Sequence, residues 1–213
     1  MNLLPLFPLD LVLLPGSPLP LHIFEPRYKE MISECLDQKK PFGVVRASEE
    51  GVAGIGCTAE ILSVTKKYDD GRMDILTRGV DRFEVLEVNE ERAFLRAEVS
   101  VVQDLVQDED EDKDENKNKE DDDDQFSRPR AALVEQAVRL HAEIVKLAGA
   151  ELSEPDETAT NLSFLLAGSL PLDLDFKQNL LATLSETKRL QAVVGYLEAV
   201  LPGLRRAAKA RWN

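Results

Sequence analysis

The chain has 213 residues, enough to bury roughly 70% of its unfolded surface in one or two compact units. With 43% hydrophobic and 31% charged residues it reads as a soluble globular protein, not a fibrous, collagen-like or wholly disordered one. The net charge of −14 is localised: Asp108–Asp124 holds twelve acids against three lysines, a net −9 that leaves −5 for everything else.

Leu3 to Ile32 reads LLPLFPLDLVLLPGSPLPLHIFEPRYKEMI, leucine-rich as far as Phe24 and broken by Pro5, Pro8, Pro15, Pro18 and Pro20. No helix holds prolines at that density, whereas extended segments hold them at strand starts, edges and bulges. Short buried strands are expected over Leu3–Phe7, Leu9–Leu14 and Leu19–Phe24, with a turn at Pro15-Gly16-Ser17-Pro18. No basic residue precedes Arg27, and Asp10 with five prolines spoils a membrane-spanning helix, so neither a leader nor an anchor is expected. After Glu25-Pro26 the period changes. Tyr28, Met31, Ile32 and Cys35 recur at helical spacing behind a proline suited to a first helical turn.

From Pro41 to Val102 the texture is strand-rich. Phe42–Val45 is a short apolar run, and Gly54–Val64 begins with glycines and ends in partial alternation. Asp69-Asp70-Gly71 signals a hairpin turn with Arg72–Val80 as the return strand. Arg82–Val88 alternates charged and apolar, and Ala93–Val101 repeats that style. Short strands joined by tight turns suggest a mixed sheet closing into a small barrel.

Two stretches resemble a known family. PLFPLDLVLLPGSPLPLHIFEPRY is similar to the opening signature of the Lon N-terminal domain family, and LPLHIFEPRY is closest to its free-standing bacterial members. GIGCTAEILSVTKKYDDGRMDILTRGVDRFEV follows with that family's GC-AEI, DGR and G--RF runs. The resemblance implies a PUA-like β-rich half, a helical bundle after it, and a part in recognising polypeptide substrates.

Asp104–Gln125 has almost no apolar residue after Val106, and its like charges repel, so a solvated loop or linker is expected. The last third is helical. Leu133, Ala137, Leu140, Ile144 and Leu147 share a face, and Gly149 ends that helix. Further helices are expected over Glu154–Leu166, Asp175–Leu184 and Ser185–Leu201. FKQNLLATLSETKRLQAVVGYL resembles the family's KQ-LL…RL pattern. The expected fold is therefore α+β, a β-rich PUA-like barrel subdomain over 1–103 and a helical bundle over 127–204. An acidic linker fills 104–126 between them, and a basic tail 205–213 closes the chain.

The chemistry is sparse. No G-x-x-x-x-G-K-[ST] phosphate-cradling string occurs, so no nucleotide cofactor is expected. Cys35 and Cys57 suit neither a disulfide framework nor a zinc site, which fits a cytoplasmic protein with reduced thiols and no metal. His22 and His141 lie far apart in sequence with no triad partner, His141 as a packed core histidine and His22 at the rim of the first strands. Ser185 and Lys188 lie one turn apart on an amphipathic helix, a commonplace spacing and no catalytic dyad. Glu25, Arg27, Arg72, Asp81 and Arg82 read as ion pairs and hydrogen bonds fixing loops. A binding groove is assigned to His22, Phe24, Arg27 and Tyr28.

The leading reading is a non-catalytic module that takes unfolded or extended polypeptide segments, serves a protease or chaperone partner in proteostasis, and has no membrane contact. A PUA-like nucleic-acid binder is the alternative, weakened by the many acids among Lys66, Lys67, Arg72, Arg78 and Arg82. An independent hydrolase comes third.

Overall fold

A computed structural model describes residues 3–48, 51–105, 130–150 and 155–211. The expected acidic linker falls almost wholly on 106–129, outside the described residues. The described chain forms a mostly antiparallel sheet of seven strands together with five helices. It divides into two compact units, Met1–Gln103 with Ser163–Thr183, and Asp104–Leu162 with Leu184–Asn213.

The first unit carries the sheet. Its strands are β1 (Leu4–Leu9), β2 (Pro18–Ile23), β3 (Phe42–Ser48), β4 (Gly51–Val52), β5 (Ile55–Lys67), β6 (Met73–Asn89) and β7 (Arg96–Val102), and helix α1 (Pro26–Gln38) follows β2. β1 pairs antiparallel with β7 and parallel with β3, so the pairings β1–β7–β6–β5–β3–β1 return to their start. Leu6, Val45, Phe83 and Ala97, from four of these strands, form one apolar core cluster. α1 supplies Tyr28, Met31, Ile32 and Cys35 to the core, and the Tyr28 ring stacks on Phe7 at 4.0 Å between centroids. Burial pushes the thiol of Cys35 up to about 11 and that of Cys57 up to about 12, so both stay protonated and unreactive at neutral pH.

The expected strand over Leu9–Leu14 does not form. Val12, Leu13 and Leu14 are all buried as expected, but without strand pairing. This segment instead passes close against Gly79. A Cβ there would sit 2.4 Å from the Leu14 carbonyl oxygen, and Gly79 exchanges backbone hydrogen bonds with Gly16 and Ser17. Conversely, the two strands expected over Arg72–Val80 and Arg82–Val88 are one, β6. The Thr58 hydroxyl accepts from Asp81 N and donates to Asp81 O, so the backbone is satisfied at Asp81 and the strand continues.

Two short helices, α3 (Leu162–Gly168) and α4 (Leu174–Ala182), fall largely within Ser163–Thr183 and so belong with the sheet. Arg82, 5% exposed, reaches from β6 to them: its Nη1 donates to the carbonyls of Leu181 and Thr183 at 2.9 and 2.8 Å, and its guanidinium lies over the Phe164 ring. The helix expected from Glu154 starts only at Leu162. Asp156 Oδ1 accepts from both the amide and the hydroxyl of Thr158, a local turn that competes with helix. At α4 the side chain of Asp173 accepts from Phe176 N and caps the first turn.

The second unit is built on α2 (Arg130–Ala148) and α5 (Glu186–Arg211). Gln136 bonds Glu198 and Glu143 bonds Arg205, seven residues further along both helices, so the two run in the same direction. Of the expected stripe Leu133, Ala137, Leu140 and Ile144 are buried and Leu147 is half-buried, and Leu190, Val193, Val194, Leu197 and Leu201 are buried on α5. Ser185 marks a helix start, its hydroxyl accepting from Lys188 N. α5 runs on through Pro202 on an exposed end, ten residues past the expected stop at Leu201.

His141, 4% exposed, is packed as expected, and burial lowers its pKa below the ordinary imidazole value. The unfolded chain therefore takes up this proton first as pH falls. Stability is fully present above the unfolded value of about 6.5 and declines below it until the folded value is passed. Denaturant titrations followed by helix circular dichroism should show unfolding free energy dropping from pH 7 to pH 5, with the slope flattened in His141→Leu. An unchanged slope would remove His141 as the cause.

Candidate functional site

The corner where β2 hands over to α1 holds His22 and Phe24, two of the four residues assigned to a binding groove. Along β2, Leu19, Leu21 and Ile23 turn inward, while Pro18, Pro20 and His22 are exposed, and Phe24 follows on the same side. Phe24 is 59% exposed, unusual for so large an apolar ring. It is framed by the His22 imidazole, whose centroid lies 6.0 Å away. Tyr68, from the end of the β5–β6 hairpin, meets His22 edge-on at 5.8 Å.

One carboxylate holds this cluster. Asp74 of β6 lies opposite both His22 of β2 and Lys66 of β5 in register. Its Oδ1 lies 2.5 Å from His22 Nδ1, and its Oδ2 accepts from the Tyr68 hydroxyl at 2.9 Å. The hydrogen bond from His22, and then that from Tyr68, hold the Asp74 carboxyl below the ordinary carboxylate range. Lys66 Nζ and the Arg72 guanidinium both lie over the Tyr68 ring, at 4.5 and 5.0 Å. Asp74 thus bridges two rings and fixes their orientation, an arrangement suited to presenting a surface.

Arg27 and Tyr28 take different places. Arg27 pairs with Glu25 at 2.8 Å and lies 4.6 Å over the Tyr28 ring, at the first turn of α1. Tyr28 is only 6% exposed and is a core residue stacked on Phe7. Burial, ahead of the opposing effect of Arg27, raises its phenol pKa. The structure therefore brings His22 and Phe24 together on one surface, pairs Arg27 with Glu25 at the first turn of α1, and buries Tyr28 in the core. Tyr68 and Asp74 were not singled out in the sequence. The hairpin signal Asp69-Asp70-Gly71 would align 66 with 74, but nothing local predicts that β2 joins the far side of that hairpin.

Elsewhere in the first unit, a cleft of about 390 Å³ lies between the end of α1 and the middle of β5 and β6, lined by Cys35, Lys39, Thr58, Ile61 and Val80. Among the described residues no three His, Cys, Asp or Glu side chains gather so as to hold a metal ion. No described helix is long and apolar enough to cross a membrane.

The fold is that of Lon N-terminal domains. The structure matches the Lon N-terminal domain protein from Xanthomonas campestris with a TM-score of 0.66 at 25% identity, covering 92% of this chain and 99% of that one. It also matches the N-terminal domain of the Mycobacterium avium complex Lon protease, TM-score 0.63 at 19% identity, covering 92% and 98%. The model of the ATP-dependent protease La (LON) substrate-binding domain matches residues 3–199, and the chain belongs to that family. Among curated relatives it is 27% identical over 197 residues to Lon protease 1 of Hydrogenovibrio crunogenus, and 28% identical over 205 residues to Lon protease 2 of Myxococcus xanthus. Those alignments cover 89% and 92% of this chain but only 23% of either protease.

Proposed function

We propose that this chain is a recognition module for unfolded or extended polypeptide, and that the contact surface is the β2–α1 corner. It works in proteostasis in the cytoplasm by delivering chains to a protease or chaperone, with no catalysis or cofactor of its own. Membership of the substrate-binding family supports the class of ligand. The observation that carries the site is Phe24, an exposed ring stacked beside an imidazole that Tyr68 and Asp74 orient. The ring of strand pairings supports reading the sheet as a small PUA-like barrel, to which β2 is joined along β6.

Nucleic acid fits less well, because the arginines of this unit are already paired with carboxylates: Arg78 with Glu60, Arg72 with Asp70, and Arg27 with Glu25. The test is binding of reduced, carbamidomethylated lactalbumin, a permanently unfolded chain. Burying a Phe side chain contributes roughly 1.5–3 kcal/mol, so Phe24→Ser should weaken binding about tenfold to a hundredfold. Its thermal midpoint should stay unchanged, since the ring has little fold to support. Equal affinity of the two proteins would move the site elsewhere.

A further inference from the structure

β2 pairs with β6 over six consecutive positions, Pro18↔Arg78 through Ile23↔Met73, and among the described residues it pairs with no other strand. In an antiparallel ladder, successive residues direct their backbone groups to opposite edges. Pro18 and Pro20 have no N–H to give, so the unbroken ladder must run through Leu19, Leu21 and Ile23. The carbonyls of Pro18, Pro20 and His22, with the His22 N–H, therefore point to the open side. That edge offers three acceptors and one donor.

We infer that the polypeptide taken at this corner adds to β2 as a further strand, uncharged along its contact and with alternate backbone N–H groups free to donate. This rests on the proposed function and narrows its substrate class. A row of lateral acceptors at strand spacing is matched by another extended backbone, because a helix spends its own amides internally. Charge points to a neutral occupant. Asp74 is engaged by His22 and Tyr68, Arg78 by Glu60 and Arg72 by Asp70, while the rings of Pro18, Pro20 and Phe24 are the apolar side chains exposed along the strand. Pro18 to Phe24 spans about 20 Å at strand rise, the reach of about seven residues. A proline in the donating set of the incoming segment removes an N–H that the edge requires, so such segments are rejected.

The probe is an acetylated, amidated heptapeptide of alternating valine and threonine, titrated onto the full chain. Two derivatives carry N-methyl groups, one on the valines and the other on the threonines. One loses four alternate backbone donors and the other the remaining three, but only one of them loses the set that faces β2. The expected result is that one derivative binds about tenfold or more weaker than the parent peptide while the other stays within about twofold. Binding of the parent peptide should not change between low and high salt. Equal loss in both derivatives, or loss in neither, overturns strand addition, as does strong salt dependence. Failure of the parent peptide to bind also overturns it. If Phe24→Ser still weakens binding of unfolded lactalbumin in that case, recognition at this corner stands without the added strand; if it does not, both readings fall.

Discussion

Arg82→Leu is expected to destabilise the first unit by about 3 kcal/mol, since hydrogen bonds from a charged donor contribute ~1.5–3 kcal/mol and orphaned buried carbonyls cost ~1–3 kcal/mol each. The guanidinium is 5% exposed, and it is bonded to the carbonyls of Leu181 and Thr183 just where α4 ends. Leucine restores apolar volume but supplies no donor. The stacking of the guanidinium on Phe164 goes as well. Residues 163–183 then keep, besides apolar contacts, the hydrogen bonds of Arg46 to Asp175 and of Gln178 to the Ile55 carbonyl. Hydrogen exchange should show α4 losing protection before the β5–β6 ladder does. A change below about 1 kcal/mol, the level of an ordinary surface substitution, would show that Arg82 is not what fastens α4.

Arg189→Met is expected to cost the second unit about 2–3 kcal/mol, less than the ~3–5 kcal/mol of a fully buried pair because one partner is partly solvated. Arg189 is 1% exposed, yet it holds two carboxylates. Asp104 accepts from both Nη atoms at 2.7 and 2.5 Å, and Glu186 accepts at 2.7 Å. Removing the cation leaves Glu186, 12% exposed, and the 36% exposed Asp104 facing each other without it. The thermal midpoint should fall by about 5–10 °C for a chain of this size. Adding Asp104→Asn and Glu186→Gln to Arg189→Met should recover part of that loss, because the repulsion goes with the charges. A triple variant no more stable than the single one would show that the cost is lost packing.

Both arginines show where the sequence was legible and where it was not. Local signals read well. Pro26 starts α1, Gly149 with φ 69° ends α2, and the stripes of α2 and α5 face a core as their spacing requires. Contacts between distant residues did not read. Arg82 reads from the sequence as a residue that fixes loops by hydrogen bonds, but its partners are not legible there: residues 181–183 return to β6 about a hundred positions later. Arg189 looks like one charge on a helix surface until Asp104, 85 residues earlier, is placed beside it. At the candidate site, exposure of His22 followed from the alternation of β2, but Asp74 and Tyr68 came from the register of three strands. Tyr28 was misplaced for a simpler reason. Its neighbour Arg27 is polar and exposed, yet on a helix adjacent residues face about 100° apart, and Tyr28 shares its face with Met31, Ile32 and Cys35.

The central claim is that polypeptide is held at the β2–α1 corner, and site-specific photo-crosslinking tests it most directly. A benzophenone amino acid is placed at Phe24 in one protein and at Leu204, exposed near the end of α5, in another, and each is irradiated with unfolded lactalbumin. Crosslinking from position 24 that is competed away by the uncharged heptapeptide, with little from position 204, is the predicted result. Equal yields from both positions, or a higher yield from position 204, would contradict it.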